Sequence, residues 1–290
     1  MLHCAGKTTE SMTQGPMNKI TFIGCGNMGR SLIGGLIANG HPADQLCASD
    51  IDAAQREMVS ELYGVETLDD NLQAVRGAEV VVLAVKPQSI KQTLEPLCGI
   101  LDQQRPLLLS VAAGILLSHL ARWAGPELAI VRAMPNTPAL IRAGASALCA
   151  NRNASAGQRN TAESILRSVG IITWVEDEIL IDAVTALSGS GPAYYFYLME
   201  AMEQAGMALG LARDQARLLT LQTALGAARM ALESSVEPAA LRRQVTSPGG
   251  TTEQALRVLQ DGGFQELLAD AIKAAYARAD ELARTLGDSG

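Results

Sequence analysis

The chain has 290 residues, is 48% hydrophobic, and sets 23 basic against 30 acidic side chains for a formal net charge of -7. That length and apolar content predict two domains with buried cores and exclude disorder over most of the chain. The acidic balance offers no general basic surface to a phosphate backbone, which argues against a nucleic-acid partner; the richest apolar run, Leu107 to Leu117, is interrupted by Ser110 and Gly114, so no bilayer span and a soluble, cytoplasmic protein are expected.

Residues 1–16 are polar and lack the apolar stretch of a secretory signal; they are expected to be a disordered lead-in, with Met17 an alternative start. From Ile20 the chain alternates β-rich runs with amphipathic stretches. Ile20 to Ile23, Leu46 to Ser49, Val80 to Ala84, Leu107 to Val111 and Ala129 to Ala133 read as strands. Met28 to Ala38, Asp52 to Leu62, Ser89 to Leu97 and Leu116 to Trp123 read as the helices between them. Several strands are apolar on both faces, as in the middle of a parallel sheet. A helix over Ala156 to Val169 and a strand over Ile171 to Val175 close this α/β unit, assigned residues 17–177.

Beyond Glu176 the strand signals stop. Segments rich in Ala, Leu, Met, Glu and Arg at Ala193 to Leu209, Asp214 to Glu233 and Phe264 to Thr285 predict an all-helical domain over residues 178–290. It has no histidine, no cysteine and a single lysine, Lys273, which leaves little scope for a Schiff-base site or a His-based acid. Its apolar helices are too many for a small core of its own, so dimerisation through this half is expected.

The five cysteines, Cys4, Cys25, Cys47, Cys98 and Cys149, are odd in number and contain no Cys-x-x-Cys pair, which fits a reducing compartment. The histidines His3, His41 and His119 share no metal-ligand spacing with them, and no metal site is expected.

The run Ile20-Thr21-Phe22-Ile23 leads directly into Gly24-Cys25-Gly26-Asn27-Met28-Gly29 and then a helix. A Gly-x-Gly-x-x-Gly loop between strand and helix is a dinucleotide-binding signature. The first glycine allows the tight turn, the second the approach of a pyrophosphate, the third close packing of helix on strand. The free N–H groups of the helix start face the anion. About twenty residues on, Ala48-Ser49-Asp50-Ile51-Asp52 falls where the ribose 2′ position is read. Asp50 can accept from a 2′-hydroxyl and favours NAD(H); Ser49 can donate to the 2′-phosphate of NADP(H); Asp50 or Asp52 can equally cap the next helix. Arg30 and Arg56 are the nearest groups to offset a phosphate. Ala84-Val85-Lys86-Pro87 and Val111-Ala112-Ala113-Gly114 end two later strands and point to the same crevice.

Three further motifs follow. Arg132-Ala133-Met134-Pro135-Asn136-Thr137-Pro138 is an extended loop fixed by its prolines. Ser188-Gly189-Ser190-Gly191-Pro192-Ala193 places glycines at the junction of the two halves and a proline at a helix start. Ser247-Pro248-Gly249-Gly250-Thr251-Thr252 opens a helix with three hydroxyls and two glycines, donors that suit a carboxylate.

With Phe22 to Gly29, Ala84 to Pro87, Arg132 to Pro138, Ser188 to Tyr194 and Ser247 to Thr252 in order over nearly the whole chain, the sequence resembles pyrroline-5-carboxylate reductase. The resemblance implies NAD(P)H-dependent reduction of 1-pyrroline-5-carboxylate to L-proline by a Rossmann domain followed by a helical domain that interlocks two subunits, with rings of such dimers in some members. It places the cofactor on Ile23, Gly24, Cys25, Gly26, Asn27 and Met28, on Ser49, Asp50 and Asn71, on Ala84, Val85, Lys86 and Pro87, and on Val111, Ala112 and Ala113. It places the substrate carboxylate on Ser247, Gly250 and Thr251, and the Thr252 hydroxyl beside the ring nitrogen. Ala48 to Asp52 departs from the Ser-Pro or Asn-Arg arrangement that suits NADPH in many members. A β-hydroxyacid dehydrogenase shares the two-domain plan but would carry a lysine where this chain has Ala193-Tyr194-Tyr195-Phe196-Tyr197. A non-catalytic dinucleotide sensor would have no use for the Ser247 to Thr252 site. The chemistry suits the inventory: reducing a protonated imine needs a hydride donor and placement, not a strong protein acid.

Overall fold

The computed structural model describes residues 18–288, so the expected lead-in at residues 1–16 lies outside the described residues. The first half runs β1 (Ile20–Ile23), α1 (Asn27–Ala38), β2 (Leu46–Ser49), α2 (Ala53–Tyr63), β3 (Glu66–Leu68), α3 (Asn71–Ala74), β4 (Val80–Leu83), α4 (Ile90–Leu94), α5 (Cys98–Gln104), β5 (Leu107–Ser110), α6 (Leu117–Ala124), β6 (Ile130–Met134), β7 (Gly144–Ala150), α7 (Ala156–Arg167) and β8 (Gly170–Trp174). The strands form one sheet in the order β3-β2-β1-β4-β5-β6-β7-β8.

Strand residues alternate between two cores, so β4 is wholly apolar and β1, β2 and β5 each hold a single polar residue, Thr21, Ser49 and Ser110. Ile20, Phe22, Val80 and Val82 pack with Leu32, Ile33 and Leu36 of α1, Val59 of α2 and Ile165 and Leu166 of α7. Ile23, Val81, Leu83 and Leu108 pack with Ile90 and Leu94 of α4, Leu101 of α5 and Leu120 of α6 on the opposite face. The result is a three-layer, doubly covered sheet.

Three features depart from the sequence reading. The sheet is parallel except where β7 runs antiparallel to β6, pairing Arg132 with Cys149. β7 (GASALCA) and the three-residue β3 were not anticipated, because small residues and so short a run carry little strand signal. The expected helix over Ser89 to Leu97 is broken: α4 ends at Leu94, a 3-10 turn over Glu95–Leu97 holds Pro96, and α5 continues to Gln104. Proline lacks the N–H that would continue the ladder.

The second half is helical: α8 (Leu180–Val184), a π turn over Thr185–Gly189, α9 (Gly191–Ala208), α10 (Arg213–Glu233), α11 (Pro238–Gln244), α12 (Thr251–Asp261) and α13 (Phe264–Asp288). α9 packs on α10 and α12 on α13, while α13 returns to α8 and the π turn. Among the described residues, the only buried side chains in α9 to α13 are Ala216, Thr220, Ala279 and Ala283.

Candidate functional site

β1 has β2 on one side and β4 on the other, so the chain reverses its direction of sheet growth between them. The crevice outside the carboxyl ends of the strands at such a point is where open α/β sheets bind ligands. The glycine loop leaves β1 there. Gly24 has φ +108, and a Cβ on it would press on the Ala84 carbonyl oxygen at 2.6 Å, so the turn lies hard against the end of β4. A Cβ on Gly29 would collide with the Gly24 carbonyl oxygen. Gly26 differs: a Cβ there meets nothing within 4 Å. As the N-cap of α1 it receives no side-chain cap. An open space beside an uncapped helix start fits the pyrophosphate of a dinucleotide.

Neighbouring strand ends are tied to this loop. Gly24 N donates to Ser49 O at 2.8 Å, Ala84 N to Ile23 O at 2.8 Å and Val111 N to Leu83 O at 3.1 Å. Ala112 N donates to Ser110 Oγ at 3.3 Å. The structure thus gathers Ile23 to Met28, Ala84, Val85 and Val111 to Ala113 at one sheet edge. Pro87 opens a 3-10 turn preceded by Lys86, which is exposed.

At the end of β2 the structure separates the alternatives. Ser49 is fully buried and its hydroxyl donates to Asn71 Oδ1 at 2.6 Å. The Ser49 hydroxyl, which the sequence offers to a 2′-phosphate, here faces Asn71. Asp52, not Asp50, caps α2 by accepting from Ala54 N at 2.9 Å. Asp50 accepts from Cys25 N at 2.7 Å and from Asp52 N at 2.9 Å. Arg56 Nη1 donates to the Asp50 carbonyl at 2.7 Å, and Arg30 Nη2 to Asn27 Oδ1 at 2.8 Å, so both arginines flank the loop. Burial, reinforced by the Asp50 carboxylate, pushes the Cys25 thiol up to about 12. Cys25 therefore brings no thiolate to the site, and its backbone N–H is taken up by Asp50.

The second constellation lies between α11 and α12. Gly249 has φ +70, and Gly250 is the N-cap of α12 with no side-chain cap. Neither threonine hydroxyl is the helix cap. Ser247 and Thr251 are exposed, and Gly250 and Thr252 half-buried. Gly249 N donates to Glu253 Oε2 at 2.9 Å, which brings the Glu253 carboxylate to this turn.

Two other motifs interlock the halves. Asn136 Nδ2 donates to Ser188 O at 3.0 Å, and its Oδ1 accepts from Ala145 N at 2.9 Å. Tyr194 donates to Ala186 O at 3.0 Å. The bare Cα of Gly189 admits Met134, whose Cε lies 2.6 Å from where a Cβ would stand.

Sequence reasoning gave no role to one buried charge cluster. Arg132, 1% exposed, places Nη1 2.9 Å from Glu178 Oε1 and Nη2 3.7 Å from Asp182 Oδ1. Glu178 Oε1 also accepts from Leu117 N at 2.8 Å. Asp182 Oδ1 is buried with no hydrogen-bond partner. Burial raises the Asp182 carboxyl above the usual range; Arg132 opposes this, and Asp280 and Glu178 reinforce it. An arginine inside the apolar strand IVRAM was the available signal, because a buried charge demands a partner. A cavity of about 460 Å³ lined by Asn18, Glu79, Gln104, Arg105 and Gln158 sits at the opposite, amino ends of β4 and β5, away from all of these groups.

Residues 178–282 match the family model described as pyrroline-5-carboxylate reductase dimerisation, and residues 19–114 the one described as NADP oxidoreductase, coenzyme F420-dependent. A pyrroline-5-carboxylate reductase of Pseudomonas aeruginosa is 53% identical over 93% of this chain and 98% of its own. Among solved structures, a pyrroline-5-carboxylate reductase from Coxiella burnetii superposes with a TM-score of 0.89 at 49% identity, covering 92% of this chain and 98% of that one. The Plasmodium falciparum pyrroline carboxylate reductase with NADP bound superposes with a TM-score of 0.81 at 29% identity over 92% and 98%. No described helix is long and apolar enough to cross a membrane.

Proposed function

The chain belongs to the pyrroline-5-carboxylate reductase family and reduces 1-pyrroline-5-carboxylate to L-proline with NAD(P)H, and from that premise we propose how its residues divide the work. The pyrophosphate lies over Gly26 and the start of α1, and the adenosine ribose lies beside Asp50 and Asn71. The nicotinamide lies along Ala84 to Pro87 and Val111 to Ala113. Asp50 disfavours a 2′-phosphate while Arg30 and Arg56 offset it, so both coenzymes are used.

Ser247, Gly250 and Thr251 receive the substrate carboxylate, and Thr252 hydrogen-bonds the ring nitrogen. The observation that carries this reading is the α12 start, where three hydroxyls surround a helix N-terminus that none of them caps. The bound reduced nicotinamide supplies a hydride to the carbon of the C=N bond. The ring nitrogen enters protonated and keeps its proton, so the product amine needs none from the protein. A threonine hydroxyl is too weak an acid to protonate an imine; Thr252 orients it.

Ser247 and Thr251 are exposed in one chain, as are Val245 and, on α12, Val258 and Leu259. A surface that covers those apolar groups also covers the loop. We assign that surface to a second copy, so that the loop of one subunit completes the crevice of its partner in a homodimer. A reducing, cytoplasmic location is supported by the free cysteines Cys25, Cys47, Cys98 and Cys149.

Thr252→Ala is expected to lower kcat/KM about ten- to a hundredfold, the loss of one hydrogen bond to a charged partner, with NADPH affinity unchanged. Thr252→Ser should keep most activity. Steady-state kinetics and melting of both variants decide; an alanine enzyme with intact kcat/KM removes Thr252 from the reaction.

A further inference from the structure

We propose that Glu178 is a positioning residue that sets the nicotinamide side of the crevice from the helical half of the chain. The inference rests on the reading above, in which Val111 to Ala113 line that side. The segment from Val111 to Leu116 joins β5 to α6, and both its ends are pinned. Val111 N is held by Leu83 O on β4. Leu117 is the first residue of α6, where a backbone N–H has no partner inside the helix. Glu178 Oε1 takes it at 2.8 Å.

Glu178 is itself held. The same oxygen accepts from Arg132 Nη1 at 2.9 Å, and Arg132 is 1% exposed. Arg132 pairs with Ser110 across β5 and β6, one residue before the segment begins. A carboxylate that receives a guanidinium and a helix N-terminus makes charge-assisted bonds with fixed geometry. The middle of the segment is supported from the same half of the chain. Gly114, at φ +73, packs under α13, where a Cβ would lie 3.1 Å from Leu286 Cδ1 and 3.6 Å from Leu282 Cβ. Glu178, at the entry to α8, and α13 therefore fix the loop from the two ends of the helical half. A purely stabilising role for Glu178, as counter-ion to Arg132, would not single out one part of the ligand.

Leu117→Pro separates the two roles. Proline is tolerated at the first helical position, and Leu116, at ψ 157, already has the extended conformation that proline imposes on its predecessor. The substitution removes the N–H to Glu178. Leu117→Ala trims the side chain and keeps that N–H, so the difference between the variants reports the hydrogen bond. NADPH and 2′-phospho-ADP-ribose, which lacks the nicotinamide, are titrated by calorimetry against the full-length protein. Leu117→Pro is expected to bind NADPH about tenfold more weakly than Leu117→Ala and to lose kcat with little change in substrate KM. Affinity for 2′-phospho-ADP-ribose should be the same in both. Glu178→Gln, which keeps an acceptor oxygen, should retain NADPH affinity that Glu178→Ala loses. Equal NADPH affinities in the two Leu117 variants, or equal losses for both ligands, would overturn the positioning role. Wild-type protein that binds neither ligand would overturn the crevice reading, and this inference with it.

Discussion

The two halves of the chain use their apolar residues in opposite ways. In β1, β2, β4 and β5 every residue is buried. The 21-residue α10 buries only Ala216 and Thr220, and α12 buries nothing. On α10, Leu218, Leu219, Leu221, Leu225, Met230 and Leu232 all stand exposed in a single chain. Burying these side chains at about 2 kcal/mol each rivals the roughly 4–15 kcal/mol cost of association, and two copies contribute alike. The sheet half builds its core within one chain. The helical half leaves its apolar faces open, and on the proposed reading a second chain covers them beside the Ser247 to Thr252 loop.

The strongest way to break this contrast is to charge the unpaired face. Leu218 and Leu225 are 68% and 62% exposed and lie seven residues apart on α10. Changing both to Asp should give monomers by sedimentation, which also distinguishes a dimer from a ring of dimers. Reduction of pyrroline-5-carboxylate should fall roughly a hundredfold or more, because the association that completes the fold is lost. NADPH binding by the sheet half should survive. A monomer with full turnover would break the contrast.

Next in size is a pair of glycines three residues apart. Gly26→Ala adds a methyl into open space and should leave the melting temperature unchanged while weakening NADPH about a hundredfold, because the pyrophosphate needs that space. Gly29→Ala meets the Gly24 carbonyl and should cost about 1–3 kcal/mol of stability by overpacking. Calorimetry and thermal melts on both sharpen the division between ligand space and packing space. Unchanged NADPH affinity in Gly26→Ala would remove Gly26 from the site.

The smallest expected effect sits at the joint between the halves. Asp182 has its folded carboxyl raised above the ordinary value of 3.8, chiefly by burial. Its charged form therefore destabilises the fold at neutral pH, and that penalty fades as pH falls through the raised value toward 3.8. Asp182→Asn should raise the melting temperature by about 2–4 °C at pH 7, a gain that shrinks as pH approaches 4. A lower melting temperature at pH 7 would show that Arg132 needs both carboxylates ionised.

These positions differ in how far the sequence reveals them. Gly24 to Gly29 is legible because its geometry is local: one strand, three spaced glycines and one helix. The central strands are legible because burial on both faces leaves them almost wholly apolar, as in Val80 to Leu83. β7 is not, since its residues are small and its pairing with β6 is set by a distant segment. The Ser49 and Asp50 turn shows the limit at a single residue: sequence offers both as ribose contacts, and only packing shows that Ser49 turns inward to Asn71. The Arg132, Glu178 and Asp182 cluster spans residues far apart in the chain, so its members share no motif.

The central claim, that one subunit's crevice works with its partner's Ser247 to Thr252 loop, is tested most directly by complementation. Gly26→Ala and Thr252→Ala chains are co-expressed, and hybrid dimers form beside the two parental ones. In a hybrid, the Thr252→Ala chain supplies an intact crevice and the Gly26→Ala chain an intact loop. If sites are shared between subunits, one of the two sites in each hybrid is wild type, and random pairing returns about a quarter of wild-type activity. If crevice and loop come from the same chain, every site carries one lesion, and the mixture stays at the level of its weak parents. Recovery to about a quarter is the result this account predicts, and activity no higher than that of the two separate variants would contradict it.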